Sequence, residues 1–380
     1  MIFTSDNAFG VAPEILEALG RVNGGGAASY GEDEITKGLQ NRFSDVFERD
    51  VAVFPVATGT AANSLALATL TPPYGAILCH EVAHVNVDEC GAPEMFSGGA
   101  KLIGIGGSGG KINSDALVTR LESLGQKGVH QVQPRCLTIT QSNEAGGIYS
   151  LEELRRLTGI ARDFDLKVHM DGARFANALV SLGCSPAEMT WKLGVDVLSF
   201  GATKNGAMAA EAVVFFDPAL VGDFEFRRKR AGHLFSKMRF LSVQLEAYLK
   251  NDLWLKNARH ANAAAKRMAD GLKAIEGIEL VSEVAANEVF AMKTMKTLVA
   301  LTMLSTLGLS GAAYAAGDAK TACRADYEKL CKDTQPGGGR IMKCLKANED
   351  QLSQPCKDAM AGAEEKMMEK KEQGGMGEGQ

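Results

Sequence analysis

Val195-Asp-Val-Leu-Ser-Phe200 is an apolar, β-branched run that ends abruptly in Gly201-Ala-Thr-Lys204-Asn-Gly206. The run reads as a buried strand and the small residues after it as a turn. A lysine in such a turn can reach into a cleft and condense with an aldehyde. Most lysines are solvated surface charges, so the stretch gains meaning only from its surroundings. Runs of the same kind stand at Val51–Val56, Ala76–Cys79, Leu102–Ile105, Cys136–Thr140, Val168–Asp171 and Ala212–Phe216. Segments of helical period alternate with them, which predicts an α/β domain with a mostly parallel sheet. The clearest helix opens at Ser150-Leu-Glu-Glu153, a capping-box spacing, and runs through Asp163. A long amphipathic stretch, about residues 235–274, then leads into two short strands, Ile278–Val281 and Asn287–Ala291.

In open α/β sheets ligands gather at the carboxyl ends of the strands, and polar residues stand there. After Val53-Phe-Pro-Val56 come Ala57-Thr-Gly-Thr60 and a helix expected at Ala61–Leu70. Backbone N–H groups at a helix start, among small residues and hydroxyls, make a phosphate cradle. A threonine there is by itself more often a plain N-cap. Val168-His-Met-Asp171 puts a carboxylate at a strand end, followed by Gly172-Ala-Arg174. Such a carboxylate can hold a protonated pyridine nitrogen; alone it reads as a helix cap. Cradle, aspartate and lysine, in that order and each after its own strand, are far more specific together.

With these motifs in place, the chain resembles the low-specificity L-threonine aldolases, β-eliminating lyases of pyridoxal-phosphate fold type I (aspartate-aminotransferase-like). Matching stretches are Ser5-Asp6, Tyr30-Gly31-Glu32-Asp33, Thr58-Gly59-Thr60, Ala83-His84, Asp171-Gly-Ala-Arg174 and Thr203-Lys204-Asn205. The likeness runs from about residue 1 to Phe290. It implies a large domain over 1–250 and part of a small domain over 251–291, since family members continue several tens of residues beyond that point. It implies pyridoxal 5'-phosphate as cofactor, an amino-acid substrate, a homodimer or homotetramer and a cytoplasmic enzyme. The expected reaction splits threonine or a related 3-hydroxy amino acid into glycine and an aldehyde, here weakened by the incomplete small domain.

The resemblance also implies roles. Lys204 would carry the Schiff base, Asp171 would pair with the pyridinium, and Gly59 and Thr60 would hold phosphate. His84 would lie over the cofactor ring and assist proton traffic. Ser5 and Arg174 would grip the substrate carboxylate, a task suited to a planar guanidinium. Tyr30 would face a neighbouring subunit's site. Arg227-Arg-Lys-Arg230 resembles a segment that sends a cation to the partner's phosphate, and reads equally as a solvated helix face.

Two motifs compete. His80-Glu-Val-Ala-His84 fits the zinc-protease signature H-E-x-x-H, which needs one helix face carrying both imidazoles. Here His80 directly follows a strand. Gly104-Ile-Gly-Gly-Ser-Gly109 fits a dinucleotide fingerprint, but Lys111-Ile-Asn intervenes before a helix that opens at Ser114 with its own cap. A glycine-rich connection accounts for it better. The formal charge of −5 argues against a nucleic-acid partner.

Beyond Ala291 the chain changes character. Met292-Lys-Thr-Met-Lys296 is basic, residues 297–316 carry no charge, and Ala313-Tyr-Ala315 is a small-x-small exit. Together these describe a secretory signal peptide over 292–316, or alternatively a membrane segment. Cys79, Cys90, Cys136 and Cys184 are scattered as in a reduced enzyme, whereas Cys323, Cys331, Cys344 and Cys356 crowd together as in an oxidised framework. The spacing around 317–360 resembles one cysteine-rich repeat of the Golgi-apparatus-protein-1 type, a non-enzymatic secreted module. Tyr327–Lys332 and Met342–Ala347 read as helices around a Pro336-Gly-Gly-Gly339 turn, and such a hairpin predicts nested pairing, Cys331 with Cys344 and Cys323 with Cys356. Residues 361–380, rich in Lys, Glu and Gly, are expected to be disordered. The whole reads as an aldolase joined in frame to a small secreted protein. A membrane-tethered enzyme with an exported tail is the alternative.

Overall fold

The computed structural model describes residues 5–293, 323–332, 334, 340–354, 356–357 and 360. The segment 297–316 and the tail 361–380 lie outside them. The chain divides into two compact units, Met1–Lys296 and Thr297–Gln380.

The first unit is built on a seven-stranded sheet: β1 (Ala52–Val56), β2 (Gly75–His80), β3 (Lys101–Ile105), β4 (Gln133–Thr140), β5 (Lys167–Gly172), β6 (Val197–Gly201) and β7 (Glu211–Phe215). Their order across the sheet is β1-β7-β6-β5-β4-β2-β3. β2 through β6 pair in parallel, while β7 runs antiparallel to both β6 and β1. The short link from Gly201 to Glu211 leaves no room for a crossover helix, so β7 must return antiparallel. All seven expected strands are present. Helices cover both faces, which is why β2, β6 and β7 are buried along their whole length.

Two packing details aim the strand ends. Phe200 on β6 meets Phe43, Trp254 and Phe175 at ring-centroid distances of 5.2, 5.6 and 5.8 Å. Cutting it to alanine would cost about 3–5 kcal/mol and loosen the turn that follows. Gly201 is required at that turn, because a Cβ there would overlap the Ala173 carbonyl. The ends of β5 and β6 thus come together closely enough to share one site.

The capping box at Ser150 and Glu153 opens Leu151–Asp163 as expected. Elsewhere the local reading needs correction. The helix after the glycine-rich link does start at Ser114, but its cap is Asn113, whose Oδ1 accepts from Asp115 and Ala116 N–H. The amphipathic stretch over 235–274 is two helices, Arg239–Leu249 and Leu253–Lys273. Asn251 and Asp252 break it with φ of 53° and 57°, a conformation their short polar side chains tolerate. Apolar spacing continues across the break, so periodicity alone does not reveal it. The last two strands are β8 (Ile278–Leu280) and β9 (Ala291–Lys293), an antiparallel pair. The second lies later than Asn287–Ala291 because the Asn287 and Glu288 side chains are drawn to Asp6 and Arg174.

The second unit has helices Arg324–Leu330 and Arg340–Ala347. Disulfides join Cys323 to Cys356 and Cys331 to Cys344, the nested pairing expected of a hairpin. The cystines pack with Leu345, Leu352 and Met360 in a small core. Asp326, buried, accepts from the Ser353 hydroxyl at 2.6 Å and its N–H at 3.2 Å.

Candidate active site

The carboxyl ends of β1, β4, β5 and β6 surround a cavity of about 400 Å³, and Gly59, Thr60, His84, Asp171, Arg174 and Lys204 all line it. At one wall, Thr58 caps the helix Gly59–Leu70, its hydroxyl accepting from Ala61 N–H at 3.2 Å. First-turn N–H groups have no carbonyl one turn back to bond. Those of Gly59 and Thr60 therefore remain available at the cavity wall. A Cβ added to Gly59 would meet no atom within 4 Å, so the space above it is open.

Lys204 lines the same cavity from the short turn Thr203–Asn205. The turn is held from below, where Asn205 Nδ2 donates to Tyr248 Oη at 2.6 Å and to the Trp254 carbonyl at 2.9 Å. Lys204 Nζ takes no hydrogen-bond or ion-pair partner among the described residues. Glu211, at the start of β7, accepts from Ala202 N–H at 2.8 Å, and burial pushes its carboxyl up to about 7.

Asp171 ends β5, almost fully buried. Its Oδ1 accepts from Ala173 N–H at 3.0 Å and its Oδ2 from Asn63 Nδ2 at 2.9 Å. Asn63 Nδ2 also donates to Glu89 Oε1 at 2.9 Å. Glu89 in turn accepts from His84 Nδ1 at 2.9 Å, and this hydrogen bond raises the imidazole above its ordinary value. Burial raises the Glu89 carboxyl as well. Glu144 accepts from the His84 backbone N–H at 2.6 Å and from Thr140 Oγ1 at 3.1 Å, while its buried Oε2 has no partner among the described residues. Two residues before Asp171 on β5, burial drops His169 to about 4, so its imidazole is neutral between Thr138 and Ser199.

Arg174 is clamped. Its Nε and Nη2 donate to Asp6 Oδ2 at 2.8 Å and Oδ1 at 3.1 Å, and Nη2 also lies 3.1 Å from Glu288 Oε1.

Ser5 and Tyr30 are not among the residues that line this cavity, and Tyr30 is the residue expected to face a neighbouring subunit's site instead. Ser5 is exposed, and its hydroxyl accepts from Asn7 N–H at 3.2 Å, capping a short 3-10 turn that brings Asn7 to the wall instead. Tyr30, with φ of 57°, lies in a separate hollow under Lys229, whose Nζ is 4.4 Å from the ring centroid. Of the basic run, Arg228 is buried with its guanidinium 5.3 Å from the Phe54 ring, so that position is no solvated face. His233 just beyond it accepts from Ala57 N–H at 3.2 Å, tying this segment to the cradle. The H-E-x-x-H reading fails on geometry. His80 ends strand β2, and His84 opens the next helix with its ring turned to Glu89.

Sequence reasoning passed over Asn63, Glu89, Glu144, Glu211 and Glu288. A signal existed for Asn63: it and Ser64 are polar residues inside a helix otherwise of small and apolar residues, buried on every side.

Residues 318–353 match the cysteine-rich repeat family. The low specificity L-threonine aldolase of Pseudomonas sp. (strain NCIMB 10558) is 45% identical over 288 residues, covering 76% of this chain and 83% of that protein. The Pseudomonas aeruginosa protein of the same name gives the same figures. A threonine aldolase structure from Leishmania major superposes with a TM-score of 0.71 at 28% identity, over 76% of this chain and 83% of its own. Cystalysin from Treponema denticola, solved with pyridoxal 5'-phosphate, shares the fold, with a TM-score of 0.53 at 16% identity over 72% of this chain and 70% of its own. The beta-eliminating lyase family matches residues 3–295, and over that span the chain belongs to it.

Proposed function

We propose that the first unit cleaves threonine and related 3-hydroxy amino acids to glycine and an aldehyde, with pyridoxal phosphate as cofactor. The observation that carries this reading is Lys204 Nζ, an amine with no partner among the described residues, in a cavity whose walls also hold Asp171 and the open first turn at Gly59. A dianionic phosphate suits free N–H groups at a helix start, an aldehyde suits a free amine, and a pyridinium suits a buried carboxylate. The donor set fits the group.

In this reading Lys204 holds the cofactor covalently, Asp171 keeps its ring nitrogen protonated, and Gly59 and Thr60 take the phosphate. The bound cofactor supplies an electron sink for the pair released when the Cα–Cβ bond breaks. Arg174 takes the substrate carboxylate. His84, with Nδ1 turned to Glu89, has Nε2 left to accept the proton of the substrate hydroxyl. Glu89 and Glu144 hold that ring and its backbone in place. Purified protein given cofactor and L-threonine should release acetaldehyde and glycine in equal amounts. Release of ammonia without acetaldehyde would overturn the assignment.

For the rest of the chain we read 292–316 as an export signal and the cysteine-rich repeat as a separate secreted module joined to a cytoplasmic enzyme. Three observations support it. The lyase match ends at 295, the repeat match begins at 318, and cysteines are free before the junction and bonded after it. Among the described residues no helix is long and apolar enough to cross a membrane. An N-terminal tag with cell fractionation tests this. A stable full-length product in the membrane, enzyme inside and oxidised tail outside, would favour the tether.

A further inference from the structure

Arg174 faces two carboxylates, and they are not held alike. Asp6 meets it through both oxygens and is steadied by Asn287 Nδ2 at 3.0 Å. Glu288 reaches it with Oε1 alone, at 3.1 Å, on the same Nη2 that Asp6 Oδ1 already uses. The second oxygen of Glu288 is buried and has no partner among the described residues. Burial raises the Glu288 carboxyl, Arg174 opposes that, and Asp6 and Glu144 add to it as like charges. A buried acceptor with no donor is a cost that a purely structural ion pair would not carry. Glu288 belongs to a segment tied down at Ser181 Oγ–Ala285 O, 2.6 Å, and Ser282 Oγ–Ala145 O, 3.3 Å.

We propose that Glu288 is a built-in competitor for the substrate. In the free enzyme its carboxylate occupies the place on Arg174 that an amino acid's carboxylate takes, and binding exchanges one carboxylate for the other. The inference rests on Arg174 reading the substrate carboxylate, as above. Asp6 keeps the buried guanidinium paired throughout, so Glu288 can give way without leaving an unpaired buried charge on Arg174. The exchange also means that the net gain from binding a carboxylate is small, so Glu288 sets the affinity of the site for amino acids and eases the departure of glycine. Asp6, bidentate and braced, stays as the positioning residue.

The alternative, that Glu288 only orients Arg174, predicts the opposite sign. The full chain loaded with cofactor, as wild type, Glu288→Gln and Glu288→Ala, is titrated with glycine and with glycinamide, following the cofactor's absorbance. Removing the competitor should tighten glycine about tenfold, the equivalent of one charge-assisted hydrogen bond. Glycinamide, which has no carboxylate, should bind as before. Glycine binding that weakens or stays unchanged in both variants overturns the competitor role. Arg174→Leu is the separate check. It should remove the preference for glycine over glycinamide, and a preference that survives overturns the carboxylate assignment itself.

Discussion

Glu89 and Asp171 do not touch, yet they share one amide nitrogen: Asn63 Nδ2 lies 2.9 Å from Glu89 Oε1 and 2.9 Å from Asp171 Oδ2. The residue proposed to move a proton, His84, and the residue proposed to hold the cofactor nitrogen, Asp171, are therefore ends of one buried chain. Such networks act as units, and altering one member is felt at the others.

Glu89→Gln should show this in a pH profile. The hydrogen bond from His84 to Glu89 holds the imidazole protonated to higher pH than usual. His84 must be neutral to accept a proton, so activity rises as pH climbs through its pKa. Without the Glu89 charge that pKa falls, and the acid limb of kcat/KM should move to lower pH while kcat drops about tenfold or more. An acid limb that does not move would contradict the role given to the pair.

Lys204→Ala should abolish covalent attachment. Borohydride reduction of the wild type should leave pyridoxyl on the peptide carrying Lys204 and on no other. Asp171→Asn should keep the cofactor but lose most turnover. It should also cost roughly 1–3 kcal/mol in stability, because the new amide would point a donor at Asn63 Nδ2. Thermal melts beside turnover separate the two losses; turnover equal to wild type would refute the pyridinium role.

Gly59→Ala tests the cradle without touching the fold. A Cβ there meets no atom within 4 Å in the protein itself, so the cofactor-free melting temperature should hold. The phosphate would lose its place, and cofactor affinity should fall about ten- to a hundredfold, the worth of one hydrogen bond to a charged group. Equal affinity by equilibrium dialysis would place the phosphate elsewhere.

The cysteines should sort by surroundings. In the native protein a thiol reagent should label exposed Cys90 first and spare Cys79 and Cys136, whose thiols burial pushes up, Cys79 to about 12. Non-reducing peptide maps should join Cys323 to Cys356 and Cys331 to Cys344. Losing either bond should cost the tail about 2–4 kcal/mol. A Cys323–Cys331 peptide would refute the nested arrangement.

The sheet was legible because buried parallel strands are written as unbroken β-branched runs, as at Val195–Phe200, with small or polar residues marking their ends. Lys204, Asp171 and Gly59 stand at such ends, so each has a local sign. Glu89 and Asn63 do not. Asp88-Glu89-Cys90 reads as an ordinary acidic turn, and only its approach to residues 63 and 84 in space makes Glu89 a buried partner. Periodicity was equally blind to the break at Asn251, where left-handed backbone interrupts a continuous apolar spacing. The Ser5 hydroxyl accepts from the Asn7 N–H, a local pairing that spacing does not record.

The strand order has a consequence in time. β1 is the first of the described strands to leave the ribosome, yet among those strands its neighbour in the sheet is β7, with Val56 opposite Glu211. At ordinary rates of synthesis the strand that founds the cradle must wait on the order of ten seconds for its partner. Throughout that interval an unpaired, apolar strand is a template for the wrong chain. β1 carries Pro55, which offers no N–H to a neighbour, and in the finished sheet β1 is an edge strand, where a proline is tolerated. The same residue that blunts the finished edge also blunts the nascent one, so the most exposed moment in the life of this enzyme is guarded by a residue that takes no part in its chemistry.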